Sequence, residues 1–103
     1  IIKYVDDNIL SIKGVGEVAE ALSYSKYYVS HVFKEKIGMT LQNYIIEARL
    51  EKAMELLKER KFSVADIALK IGYESPQGFS KAFKKRFGMS PMDVFSLKNN
   101  RQA

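Results

Sequence analysis

Apolar residues recur along this chain at helical spacing, in segments divided by serine, glycine and proline. Val64, Ile67, Ala68 and Ile71 form one such stripe. Ser63 with Asp66 three residues later is a capping box that opens its helix. Gly72 supplies the left-handed residue that stops it. Ser75-Pro76 then restarts a helix, with serine at the N-cap and proline at the first helical position. Its apolar stripe is Phe79, Ala82, Phe83 and Phe87; Gly88 ends it, and Ser90-Pro91-Met92-Asp93 caps a short final helix. The segment reads as helix, tight turn, longer helix.

The same unit occurs earlier in the chain. Phe33-Lys34-Glu35-Lys36-Ile37-Gly38-Met39-Thr40 matches Phe83-Lys84-Lys85-Arg86-Phe87-Gly88-Met89-Ser90 at an offset of 50. Val18-Ala19 matches Ile67-Ala68, and Leu22-Ser23-Tyr24 matches Ile71-Gly72-Tyr73, at an offset of 49, so the second turn has gained one residue. In the first copy Gly14 and Glu17 stand where Ser63 and Asp66 stand in the second, and Ser25 caps the longer helix. Ser23 takes the place of Gly72, so that turn either holds a left-handed serine or closes differently.

Between the copies, Thr40 to about Arg60 is the clearest helix. Ile46, Leu50, Ala53, Met54 and Leu57 form one stripe, and Leu41, Ile45 and Ala48 add a second apolar face. A helix apolar on two sides is normally sandwiched, which predicts packing against both copies. Ile1, Ile2, Val5 and Ile9 mark a leading helix over residues 1–10, and the polar tail Ser96–Ala103 is expected to fray. The expected organisation is all-α: a first lobe over 1–39, a linker helix over 40–61 and a second lobe over 62–103. The chain opens on Ile1, inside an apolar-periodic segment, and reads as part of a longer protein.

Charge sharpens the picture. Residues 1–75 carry equal numbers of acids and bases, whereas residues 76–103 carry Lys81, Lys84, Lys85, Arg86, Lys98 and Arg101 against Asp93 alone. The whole excess of +5 therefore lies in the last quarter, as a surface facing a polyanion would have it. A solvated face would look the same from charge alone. Zero cysteines exclude disulfides and thiolate zinc sites, and a single histidine, His31, builds no metal site alone. No nucleophile–base pair and no phosphate-cradling glycine loop is present, so neither an enzyme nor a bound cofactor is expected. There is no apolar run of membrane-spanning length. A small cysteine-free domain of this kind fits the cytoplasm.

Candidate chemistry follows from which way each longer helix faces. Val29, Val32, Phe33 and Ile37 align with Phe79, Ala82, Phe83 and Phe87 as core stripes. The opposite faces are Tyr27, Ser30, His31 and Lys34 in the first copy and Gln77, Ser80, Lys81 and Lys84 in the second, with no acid in either set. Hydrogen-bonding groups and positive charge near a helix N-terminus are what a recognition helix presents to a DNA groove. Gln77 suits adenine and Lys81 suits guanine, with Ser80 beside them; phosphate contact and plain solvation are the other roles open to these residues. Tyr27, Ser30 and His31 are their counterparts, Tyr27 toward a thymine methyl or the sugar-phosphate edge and His31 toward a base acceptor or phosphate, the alternative for His31 being a surface histidine with no role. Lys26, Lys34, Lys84 and Lys85 are assigned to phosphates, as are the backbone amides at the helix starts Ser25 and Ser75. Tyr24 and Tyr73 are assigned to packing in the turns, and Phe33, Phe83 and Phe87 to the core. Arg49, in an enclosed helix, is expected to tie the lobes together through an acidic or carbonyl partner. A spacer helix of about 20 residues spans roughly 30 Å, close to the roughly 34–36 Å recurrence of the major groove on one side of B-DNA.

The run Ser75-Pro76-Gln77-Gly78-Phe79-Ser80-Lys81-Ala82-Phe83-Lys84-Lys85-Arg86-Phe87-Gly88-Met89-Ser90-Pro91 resembles the signature of AraC/XylS-type transcription regulators. So do Asp66-Ile67-Ala68 and Gly72-Tyr73, and the spacer's Arg49-Leu50 with Ala53 and Leu56-Leu57. The resemblance spans essentially the whole chain. It implies seven helices in two homeodomain-like helix-turn-helix lobes, with recognition helices near 26–37 and 76–87 in adjacent major grooves of double-stranded DNA. It also implies control of transcription, more often activation, with RNA polymerase as a possible partner and a sensing or dimerising domain elsewhere in the protein. One departure is that members commonly follow the Ser-Pro pair with an aromatic residue and then an arginine, where this chain has Val94 and Phe95. The competing reading is a helical-repeat module that binds another protein, which predicts a sizeable exposed apolar patch.

Overall fold

Each serine that the sequence places ahead of a helix caps it with its own hydroxyl. Ser25 Oγ accepts from Tyr28 N at 3.0 Å, Ser63 Oγ from Asp66 N at 3.1 Å and Ser75 Oγ from Gly78 N at 3.1 Å. At Ser90 the box is reciprocal: its hydroxyl accepts from Asp93 N at 3.1 Å, and its amide donates to Asp93 Oδ2 at 3.2 Å. Thr40 Oγ1 accepts from Asn43 N. The resulting elements are α1 (Ile2–Asp7), α2 (Val15–Ala21), α3 (Lys26–Ile37), α4 (Leu41–Glu59), α5 (Val64–Lys70), α6 (Pro76–Phe87) and α7 (Pro91–Gln102). The computed structural model describes the backbone of residues 1–102 and the side chains of residues 1–96, and no strand occurs among the described residues.

The turns inside the two repeats close identically. After α2, Tyr24 N donates to Ala19 O and Ser23 N to Glu20 O; after α5, Tyr73 N donates to Ala68 O and Gly72 N to Leu69 O. Both are Schellman motifs, which require a left-handed residue at C′. Gly72 takes it at φ 99°, and Ser23 takes it at φ 63° despite its Cβ. Of the two closures open to that turn, the chain uses the left-handed serine.

The chain divides into two compact units, Ile1–Arg49 and Leu50–Ala103, and the division falls inside α4. In the first, Val5, Ile9, Ile12, Val18, Ala19, Val29, Phe33, Leu41 and Ile45 form one buried cluster. Tyr44 meets the Phe33 ring edge-on at 5.3 Å between centroids, and its hydroxyl donates to Asp6 at 3.0 Å. Burial first, and the Asp6 carboxylate second, push the Tyr44 phenol above its ordinary pKa. In the second unit Leu50, Ala53, Leu56, Leu57, Ile67, Ala68, Ile71, Phe79, Phe83 and Val94 are buried. Phe79, Phe83 and Phe87 form a ladder of rings 5.6 and 4.7 Å apart. Where the family pattern has its aromatic–arginine pair, Phe95 lies under the Arg60 guanidinium at 4.1 Å, and Arg60 donates to the Phe95 carbonyl at 2.6 Å.

Four expectations change. The leading helix stops at Asp7, because Asn8 turns its side chain back to Tyr4 O and its carbonyl receives Ser11 N and Ile12 N. That turn still delivers Ile9 and Ile12 to the core. Ile37 leaves the core stripe and is 43% exposed. Instead it lines a shallow groove with Ile1, Ile2 and Val32. The last helix is not short: α7 continues through the tail to Gln102, and Ala103 lies outside the described residues. Arg49 finds a carbonyl partner, but it is Ile12 O, within the first unit, so the bond braces one lobe and does not tie two.

Ser23 and Gly72 give a paired test. A left-handed L-residue costs roughly 1–2 kcal/mol, and glycine's extra backbone entropy offsets about half of that. Ser23→Gly should raise unfolding free energy by about 0.5–1 kcal/mol and Gly72→Ala should lower it by about 1 kcal/mol or more, read from urea midpoints. Phe83→Ala, at a fully buried position, should cost about 3–5 kcal/mol.

Candidate nucleic-acid interface

Burial of Val29 and Phe33 on α3, and of Phe79 and Phe83 on α6, determines which side of each helix meets solvent. On α3 that side carries Tyr27, which is 79% exposed, with exposed His31, Lys26 and Lys34 and half-buried Ser30. On α6 it carries exposed Gln77, Lys81, Lys84 and Lys85 and half-buried Ser80. Within each helix the structure therefore brings the expected residues onto one accessible face.

The helix starts are equipped for anions to different degrees. The four first amides of a helix have no intrahelical partner. Capping by Ser25 takes Tyr28 N–H and leaves the amides of Ser25, Lys26 and Tyr27; capping by Ser75 takes Gly78 N–H, and Pro76 has none, which leaves Ser75 and Gln77. No acid sits in the first turn of either helix. The side chains of Ser25 and Ser75 are thus committed to capping, and any phosphate contact there runs through backbone N–H groups.

Electrostatically the units differ. The first holds six bases and six acids, the second eleven bases and six acids. Lys98 and Arg101, counted in that excess, lie outside the described side chains. Arg86 leaves the α6 face to pair with Glu51 at 3.2 Å, so Lys81, Lys84 and Lys85 are the described cations of the face itself.

The α3 surface corrects the sequence reading in one respect. His31 Nε2 lies 3.3 Å from Glu35 Oε2, so an acid adjoins a face expected to be free of them. Tyr27 stacks parallel on the imidazole at 5.8 Å. These residues line an open concavity of about 550 Å³ with Lys26, Ser30 and Lys34. The i, i+4 spacing of His31 and Glu35 was the available signal, masked because the aligned residue in the second copy is Lys85. Tyr24 also departs from its packing assignment: it is 51% exposed and leans on Tyr28, itself 49% exposed, at 4.9 Å. Tyr73 does pack, against Phe79 at 5.8 Å. Among the described residues no cluster of His, Asp or Glu is arranged to hold a metal, and no helix is long and apolar enough to cross a membrane.

Comparison with known proteins places this geometry. The helix-turn-helix domain model matches residues 18–96. The transcriptional activator AarP of Providencia stuartii is 33% identical over 91 residues, covering 88% of this chain and 67% of AarP. The Msm operon regulatory protein of Streptococcus mutans is 34% identical over 77 residues, and the match covers 75% of this chain but only 28% of that protein. Among solved structures, the DNA-binding domain of AdpA, determined with a target DNA, superposes with a TM-score of 0.87 at 21% identity over 97% of this chain and 90% of that one. That likeness shows the fold, and the sequence matches supply the family. With seven helices among its described residues, a repeated helix-turn-helix and a family model spanning most of its length, the chain belongs to the AraC-type helix-turn-helix regulators, as a DNA-binding domain of transcriptional control rather than an enzyme.

Proposed function

We propose that the chain reads DNA through both repeats, with α3 and α6 as recognition helices in successive major grooves on one side of a duplex. The observation that carries this reading is the pairing of two solvent-facing helix surfaces, each rich in hydrogen-bonding and basic groups and each opened by a capping serine. Gln77, Ser80 and Lys81 are the base readers of the second lobe, and Tyr27, Ser30 and His31 those of the first. Lys26, Lys34, Lys84 and Lys85, with the amides after Ser25 and Ser75, hold the backbone of the duplex. The 19-residue α4 covers roughly 28 Å at the helical rise, a length commensurate with the groove repeat.

Within a full regulator, this domain would deliver a partner to a promoter. AarP is described as an activator, and activation through RNA polymerase is the role proposed here. The Msm regulator is much longer than the matched region, which supports a sensing or dimerising domain beyond this chain. The proposed site of action is the cytoplasm, where bacterial DNA is.

Lys81→Ala should cost about 1–3 kcal/mol on a selected site and relax preference at one base position. Lys84→Ala should weaken selected and random duplexes alike and flatten the log–log salt slope by about one. Titrations at several salt concentrations check both, and the reverse pattern would exchange the two roles. Selection from random duplex DNA should return two short blocks about one helical turn apart. Recovery of one block alone would confine reading to a single lobe, and affinity insensitive to salt would favour a protein partner instead.

A further inference from the structure

Glu35 puts a negative charge into the very surface that α3 offers to a polyanion. Its carboxylate pairs with His31 Nε2 at 3.3 Å, and the two side chains are 71% and 61% exposed. The Tyr27 ring lies within 5° of parallel to the same imidazole. All three residues line one concavity, in company with Lys26 and Lys34. The second repeat has Gln77, Lys81 and Lys85 at the matching positions, with no acid among them. An exposed pair one turn apart on a helix adds little to folding. Stability therefore does not account for an acid where attraction to phosphate favours a cation.

We infer that Glu35 is a positioning residue that makes the first recognition surface selective. It holds one edge of the His31 ring while Tyr27 covers a face, so the imidazole meets the bases in a restricted orientation. Its charge also cancels part of the attraction that Lys26 and Lys34 exert on any phosphate backbone. The α3 surface must then draw its affinity from base edges, whereas the α6 surface keeps its full attraction for the backbone. This inference rests on the DNA reading proposed above.

The test measures binding of the 103-residue chain to two probes across a salt series. One probe is the best duplex that the parent chain selects from a random library, and the other is the unselected random-sequence duplex of equal length. Glu35→Lys should tighten binding to the random duplex, steepen its log–log salt slope by about 0.9, and shrink the selected-to-random ratio several-fold. His31→Ala and Glu35→Ala should each lower that ratio, and the double variant should lower it no further than His31→Ala alone. Thermal unfolding of every variant should match the parent, which separates a change in recognition from a change in folding. Additive losses, or a ratio unmoved by Glu35→Ala in a parent that binds with a steep salt slope, would overturn the role of Glu35 and leave the DNA reading standing. A parent chain with no salt-dependent duplex binding would sink both.

Discussion

Burial of one apolar stripe on each longer helix governs everything this domain presents to a partner. Val29 and Phe33 in one unit, and Phe79 and Phe83 in the other, are shielded almost completely from solvent. Fully burying side chains of this size is worth about 1.5–3 kcal/mol each. Rotating either helix to present a different face would expose that surface and bury lysines without partners, which is costlier still. The accessible residues of α3 and α6 are therefore not free to vary in direction. The serine caps add the second restraint, because they define where each helix begins and which amides remain unpaired.

Duplication has preserved this scaffold more strictly than the chemistry mounted on it. Both copies close their turns with the same pair of backbone hydrogen bonds, even though one uses glycine and the other a left-handed serine. Both end the longer helix on a left-handed glycine, Gly38 and Gly88. The solvent faces have diverged. One carries an aromatic–imidazole stack beside a carboxylate in a unit of zero formal charge; the other carries three lysines in a unit holding the whole positive excess. Long-range attraction to a polyanion scales with that excess. Contact with base edges depends on the placement of individual donors and acceptors. Under the proposed DNA reading, the two lobes weight affinity and discrimination differently on the same backbone.

Local rules made most of this architecture legible before any coordinates. N-caps, capping boxes and C-terminal glycines act over three or four residues, so Ser25, Ser63, Ser75, Ser90 and Gly72 announce their own geometry. The repeat was legible because it leaves matching residue types at offsets of 49 and 50, and the direction of each face followed from helical periodicity. The candidate readers on α3 and α6 were found by that route alone. Glu35 escaped it because comparison between copies groups residues by alignment, and its partner in alignment is a lysine.

What the chain alone determined, then, was the set of helices, their starts, and the identity of the residues facing solvent, all consequences of short-range hydrogen bonding and period. Tertiary structure decided the rest. Arg49 reaches the carbonyl of Ile12 because a turn 37 residues earlier in the chain is folded against α4. Ile37 loses its place in the core because the last turn of α3 meets only the first residues of α1, Ile1 and Ile2, across a shallow groove that leaves it 43% exposed. Each of these outcomes depends on groups distant in sequence, whose approach is set by the cheapest burial of the whole apolar surface and not by any local pattern.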